Sequence, residues 1–208
     1  MPAFTGFTAA DFEAMTVPGL EARMRAIKET VRPKLEALGQ RLAPALSAMS
    51  GDRFFAHVAK HARRTVNPPD STWVAWAANP RGYKKDPHFQ VGLWSTHLFV
   101  WFALIEESPL KPHFAENLER HLDKIRAAIP AHFRWSRDHT VPESTPHADM
   151  TDEDFVTLIR RLKEVKKAEV LCGITIDRTD PLLTDGDALF ARIEETFQTL
   201  MPLYRLAR

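Results

Sequence analysis

The sequence predicts an α+β fold, and three observations carry that reading. Segments rich in aromatic and β-branched residues fall in one block between residues 54 and 105, while stretches with a three-to-four-residue apolar period lie before and after it. Ser95-Thr96 is too short a link for anything but an antiparallel hairpin. Strands gathered in a block, without regular alternation with helices, exclude a doubly wound parallel sheet.

Taken in order, Thr8 or Ala9 starts a short helical turn through Phe12, closed by Pro18-Gly19. From Leu20 to Met49, Met24, Ile27, Val31, Leu35, Leu38, Leu42 and Leu46 recur with the period of an amphipathic helix. Pro33 predicts either a kink or a second helix with the proline at its first position, and Ser50-Gly51 ends the run. Strands are expected at Phe54–His61, Thr72–Ala77, His88–Trp94 and His97–Ile105. A helix fits Pro112–Ala128 and a short strand Phe133–Ser136, and Val141–Asp149 reads as loop. Thr151 followed by three acids starts a helix to about Lys163. A strand over Ala168–Ile176 and a helix over Asp185–Leu200 close the chain.

With 208 residues, 44% hydrophobic and 26% charged, the chain is long and apolar enough to bury one core and reads as a single domain spanning residues 1–208. One cysteine, Cys172, excludes a disulfide framework, and its apolar surroundings read as an inert small hydrophobe. The longest apolar run, Leu98–Ile105, is too short to span a bilayer. MPAFTGFTAADFEAM lacks a basic segment followed by an apolar stretch, so the reading is cytoplasmic, with no membrane partner.

Net charge is +1, but its distribution is uneven: Arg53–Gln90 holds seven basic residues and two acids, the remainder 21 bases and 25 acids. Such a segment suits an anion, and its plainer reading is a solvated basic face. There is no GxGxxG, P-loop, HExxH, CxxC or GxSxG, which removes the common nucleotide folds, zinc hydrolases, α/β-hydrolases and thioredoxin-like chemistry.

His57 and His61 have the spacing of a helical metal pair, but on a strand they stand about 13 Å apart. The expectation is therefore no metal and no cofactor, with both imidazoles lining one groove. Arg63 and Arg64 offer planar forks for phosphate or carboxylate, and Arg81, Lys84 and Lys85 add charge. Asn67 and Thr65 can hydrogen-bond, Gly82 permits close backbone approach, and Tyr83 can stack on a ring. The competing expectation pairs Arg63 with Asp70 and leaves the lysines in solvent. Asp138 and His139 are neighbours in an extended segment and so face opposite ways; either would have to serve a partner elsewhere. Trp73, Trp76, Trp94, Trp101 and Trp135 read as core.

GFTAADF at Gly6–Phe12, PGLEARM at Pro18–Met24 and RPKLEALG at Arg32–Gly39 resemble segments of the YktB-like family of uncharacterised bacterial proteins. So do HVAKHARRTVNPPDSTWVAWA at His57–Ala77, RGYKKDPHFQVGLW at Arg81–Trp94, DHT at Asp138–Thr140 and KKAEV at Lys166–Val170. The resemblance runs nearly end to end. It implies a compact α+β fold with a curved antiparallel sheet flanked by helices, and it implies no activity, cofactor or catalytic residue.

The residues then point to an anionic, phosphate-bearing ligand in a groove walled by His57–Asp70 and Asn79–His88, with Arg63, Arg64, Lys84 and Lys85 converging on it. A phosphorylated small molecule fits better than single-stranded nucleic acid, because the chain's pI near 8.0 is low for a dedicated nucleic-acid binder. Two alternatives stay open. One is an enzyme of phosphoryl or acyl chemistry with His57, His61 or His88 as acid or base and Asp138 or His139 as auxiliary. The other is an interaction module using the tryptophan-rich sheet.

Overall fold

The computed structural model describes residues 4–208; the first three residues of the N-terminal stretch read above lie outside it. Helix α1 (Ala9–Ala14) opens on a capping box, in which the Thr8 backbone N–H donates to the Asp11 carboxylate at 2.7 Å. Asp11 is buried, and Lys34 pairs with it there.

The long amphipathic stripe forms α2 (Leu20–Ala26), a π turn at Ile27–Val31 and α3 (Arg32–Ser50). Pro33 neither splits the helix nor starts a separate one. A proline lacks an N–H and crowds the carbonyl four residues back. The turn before it is widened instead: the Arg32 N–H donates to the Ile27 carbonyl, five residues back. Ile27, Val31, Leu35, Leu38, Leu42 and Leu46 thereby all remain fully buried. Gly51, with φ of 81°, ends α3 in the left-handed region where a side chain would be strained.

Seven strands make one antiparallel sheet: β1 (Phe55–Val58), β2 (Ser71–Ala77), β3 (His88–Trp94), β4 (His97–Leu104), β5 (Arg134–Ser136), β6 (Thr145–Pro146) and β7 (Val170–Asp177). Their order is β1-β2-β3-β4-β7-β5-β6, so the last strand in sequence sits inside the sheet. β1 stops at Val58 rather than His61, because His61 takes a φ of 52° and turns the chain out of the sheet. The segment read as loop contributes β6, which pairs Thr145 and Pro146 with Trp135 and Arg134. Its proline tolerates this position because β6 is an edge strand.

The middle helix breaks at His121 into α4 (Lys111–Arg120) and α5 (Leu122–Ala128). α6 (Asp152–Glu164) is capped reciprocally by Thr151 and Asp154, and α7 (Gly186–Leu206) runs six residues beyond its expected end. No helix among the described residues is long and apolar enough to cross a membrane.

The pleat sorts the sheet into two faces. Val74, Trp76, Phe89, Val91, Val100, Phe102, Val170 and Cys172 join the helices in the main core. Trp76 is fully buried and donates its indole N–H to the Gly39 carbonyl at 2.9 Å. The other face carries a smaller cluster of Phe99, Trp101, Ala103, Ile105 and Leu171, with Trp73, Tyr83 and Trp94 packed against it. Three tryptophans are buried as expected of core, whereas Trp73 and Trp94 are only half-buried. Gly173 matters on this face: a Cβ there would lie 1.8 Å from the Val100 carbonyl oxygen and 2.9 Å from the Trp101 ring. The missing side chain lets the indole lie across the neighbouring strand.

Candidate functional site: a basic groove with an aromatic floor

The second sheet face and two of its loops flank an open groove with a volume of about 780 Å³. One wall is β1 and the segment after it, from His57 to Arg64; the other is the loop from Asn79 to Asp86, with Trp73 and Glu107 completing the lining. Register explains the floor. His57 pairs with Ala75, and Ala75 with Gln90, so the pleat turns His57, Trp73, Ala75, His88 and Gln90 to one face.

The aromatic rings in this region are held by one another. Trp73 Nε1 donates to the Tyr83 hydroxyl at 3.0 Å. The Tyr83 ring meets His88 edge-on at 4.9 Å between centroids and His57 at 6.0 Å. His57 Nε2 donates to the Asn79 carbonyl at 2.9 Å, tying β1 to the opposite loop. His61 stands edge-on to Trp73 at 5.5 Å, and its Nε2 lies 3.2 Å from the Thr72 hydroxyl. Burial, with the Arg64 and Arg32 charges added, lowers the His61 pKa to about 4, so its imidazole is neutral at pH 7.

Arg63, Arg64, Lys84 and Lys85 all line the cavity, as do Arg81 and Lys60. They converge although strand β2 separates their loops. The chain after His61 curls back, with the Arg64 N–H bonded to the His61 carbonyl and its guanidinium to the carbonyl oxygens of Asn67 and Pro68. Asn67 supplies that backbone oxygen and lies outside the lining.

Asp70 does not pair with Arg63. It accepts from Arg23 at 3.2 Å. Asp86 accepts from the Asn79 side chain. Lys84 alone is neutralised, by Glu107 at 2.7 Å; that bond raises the lysine pKa. Burial would raise Glu107, and the lysine outweighs it to hold the carboxyl below its usual range. Among the described residues no ion pair involves Lys60, Arg63, Arg64, Arg81 or Lys85. Five cations therefore line one hollow outside any ion pair, and the one acid there that is also unpaired, Asp86, leaves the group a net positive charge.

Three further expected site residues lie elsewhere. His88 is fully buried beneath Tyr83 rather than on the groove wall. Its Nδ1 donates to the Asp86 carbonyl and its Nε2 accepts from Gln90, which satisfies both nitrogens of a neutral ring. Burial lowers its pKa to about 4.

Asp138 and His139 belong to a separate cluster around Glu169, a buried carboxylate that sequence reading did not single out. Glu169 accepts from the backbone N–H of Glu106 and of His139, and from His139 Nδ1 at 2.7 Å. Burial would lower the His139 pKa, but the bond to Glu169 and its charge outweigh that and raise it. Asp138, as its alternation with His139 implied, does not orient the imidazole; it caps Thr140.

Ligand atoms of Asp138, His139 and Glu169 lie within 4.8 Å of one another, the spacing a metal ion requires. Three N–H donors already satisfy the Glu169 carboxylate and Asp138 is taken up by the Thr140 turn, so the trio is held by its own hydrogen bonds. His57 and His61 belong to no such group among the described residues.

Comparison with known proteins finds matches along nearly the whole chain. A family model described as a domain of unknown function, DUF1054, matches residues 7–204. A UPF0637 protein of Bacillus licheniformis is 53% identical over 202 residues, covering 97% of this chain and 96% of the relative. One from Bacillus velezensis is 51% identical with the same coverage, and one from Bacillus mycoides 50% identical over 200 residues, 96% of each chain. The nearly end-to-end bacterial resemblance read from the sequence blocks has the same extent.

Proposed function

The chain belongs to the DUF1054 family, whose description assigns no activity, and from the groove we propose that it binds a phosphate-bearing small molecule. The observation that carries this reading is the set of five unpaired cations lining one cavity of about 780 Å³, within the size range of small-molecule sites. Five such cations against the single unpaired acid Asp86 leave a net repulsion, about 1 kcal/mol per like pair at 16 Å with an effective dielectric of 20, that a bound anion relieves. Arg63 and Arg64 both line the groove, and the oxygens of a phosphate accept planar guanidinium forks in pairs.

His61 supports the same reading. It is the non-glycine residue of positive φ among the described residues, and strain of this kind gathers at ligand clamps. Its backbone turn is what carries Arg63 and Arg64 to the rim. Catalysis finds less support in the groove: His57 Nε2 is taken up by a backbone carbonyl, and His61 carries no extra proton to donate near neutrality.

The test is a thermal-shift screen of phosphorylated metabolites followed by titration calorimetry. A binder is expected to raise the melting temperature by mass action, and the Arg63→Ala/Arg64→Ala double variant to weaken it at least tenfold. Stabilisation by no phosphorylated compound, or equal affinity in the double variant, overturns the proposal.

A further inference from the structure

We infer that the ligand of the groove is a mononucleotide, its phosphate on the arginine and lysine rim and its base against the rings of His57, His61, Trp73 and Tyr83; the inference rests on the anion-binding reading above. Charge alone does not account for this site. An inorganic phosphate or a sugar phosphate would use the rim and leave four aromatic side chains facing water in a cavity of about 780 Å³. A phosphate joined to a planar heteroaromatic ring uses both parts.

The rings are suited to stacking because they are already ordered. Tyr83 is braced by His88 beneath, by His57 alongside and by the Trp73 indole on its hydroxyl. His57 is fixed by the Asn79 carbonyl and His61 packs on Trp73. Side chains locked before binding lose little rotamer freedom on binding. The neutral His61 ring adds a flat π surface without another charge. At Gly82 nothing lies within 4 Å of where a Cβ would stand, so a ligand has room against the peptide.

The choice of a monomer over a strand comes from what adjoins the groove. Arg64 also borders a second hollow, of about 440 Å³, with Arg25 and Lys28. That is the path a following nucleotide would take, and its remaining lining is Leu20, Glu21 and Met24. No ring is there to stack a second base, and Glu21 opposes a second phosphate.

The experiment titrates the intact protein with the four ribonucleoside 5′-monophosphates, ribose 5-phosphate, the uncharged nucleosides and an eight-nucleotide oligoribonucleotide. At least one monophosphate is expected to bind tenfold or more tightly than ribose 5-phosphate. Tyr83→Leu is expected to remove that advantage while leaving ribose 5-phosphate affinity within twofold. Tyr83→Phe keeps the ring and loses only the bond from Trp73, so it should retain monophosphate affinity within threefold. If Tyr83→Leu fails to fold, His57→Gln, which removes another ring of the groove and keeps a donor for the Asn79 carbonyl, makes the same comparison.

Equal affinity for ribose 5-phosphate and every monophosphate overturns the ring inference and leaves the anion site standing. Binding of none of the phosphorylated compounds overturns both. Oligonucleotide affinity more than tenfold above that of the best monophosphate overturns the monomer in favour of a strand.

Discussion

The two faces of the sheet are built from the same strands and do opposite work. On the helix side, residues such as Trp76, Phe89 and Phe102 are fully buried and the polar atom of Trp76 is satisfied by backbone. On the loop side, Trp73 and Trp94 stay half-exposed, histidines and a glutamine replace aliphatics, and the cover is a loop rather than a helix. The first face is what an apolar core needs; the second keeps polar groups in fixed places at the edge of water. The difference separates residues that hold the fold from residues available to a ligand.

The sharpest way to break that distinction is to remove one tryptophan from each face. Trp76→Ala should cost about 3–5 kcal/mol, through lost burial, an unfilled cavity and the orphaned Gly39 carbonyl. At roughly 2–4 °C per kcal/mol for a chain of this size, the melting temperature should fall by about 6–20 °C. Trp94→Ala should cost less than half as much, about 1–2 kcal/mol. Equal losses in differential scanning calorimetry would mean that the loop side is as structural as the helix side.

A somewhat smaller effect comes from acid. His88 titrates near 4 in the folded protein and near 6.5 once unfolded, so below the latter value protons favour the unfolded chain. Its contribution is complete above pH 6.5 and is lost as pH falls toward 4, up to about 3 kcal/mol. His139 has the opposite sign: its raised pKa contributes stability that is full below 6.5 and fades as pH rises through the folded value. Urea midpoints measured between pH 7 and 4 should fall more steeply in the wild type than in His88→Gln. Parallel curves would show that the buried imidazole does not couple folding to pH.

The smallest expected effect is at the rim. Arg64 is exposed and bonds only the carbonyls of its own loop, so Arg64→Ala should leave stability within about 0.5 kcal/mol. A loss well above 1 kcal/mol in chemical denaturation would make the arginine a loop staple and weaken its assignment to a ligand.

Much of this architecture is legible in the residues. The helical stripe from Met24 to Leu46, the β3 limits and the β3–β4 hairpin follow from apolar period and turn chemistry. So does the placement of Arg63, Arg64, Lys84 and Lys85 on two loops of one basic segment. What escapes is decided by contacts distant in sequence. The end of β1 depends on a left-handed histidine, which no local pattern marks. The burial of His88 depends on Tyr83 folding over it from a loop. Glu169, 30 residues from His139, looks like one acid among many until β7 and the Asp138 turn meet. The widened turn before Pro33 could have been suspected, since the stripe continues through the proline without losing phase.

The place of β7 has a consequence for how the chain reaches this state. β1 to β4 form a meander of neighbours in sequence, so residues 55–104 can pair as soon as they are made. β5 and β6 have no such freedom: their place lies beyond β7, which is synthesised after both. Trp135 and its partners must therefore wait, unpaired with the sheet, until residues 170–177 have left the ribosome and docked along β4. Loops that close over long separations are slow because their entropy is lost before their contacts form. Completion of the sheet is thus tied to the synthesis of β7, and a chain truncated before Val170 would leave one side of β4 open, where Leu98, Val100 and Phe102 keep β3 on one side and have no strand on the other.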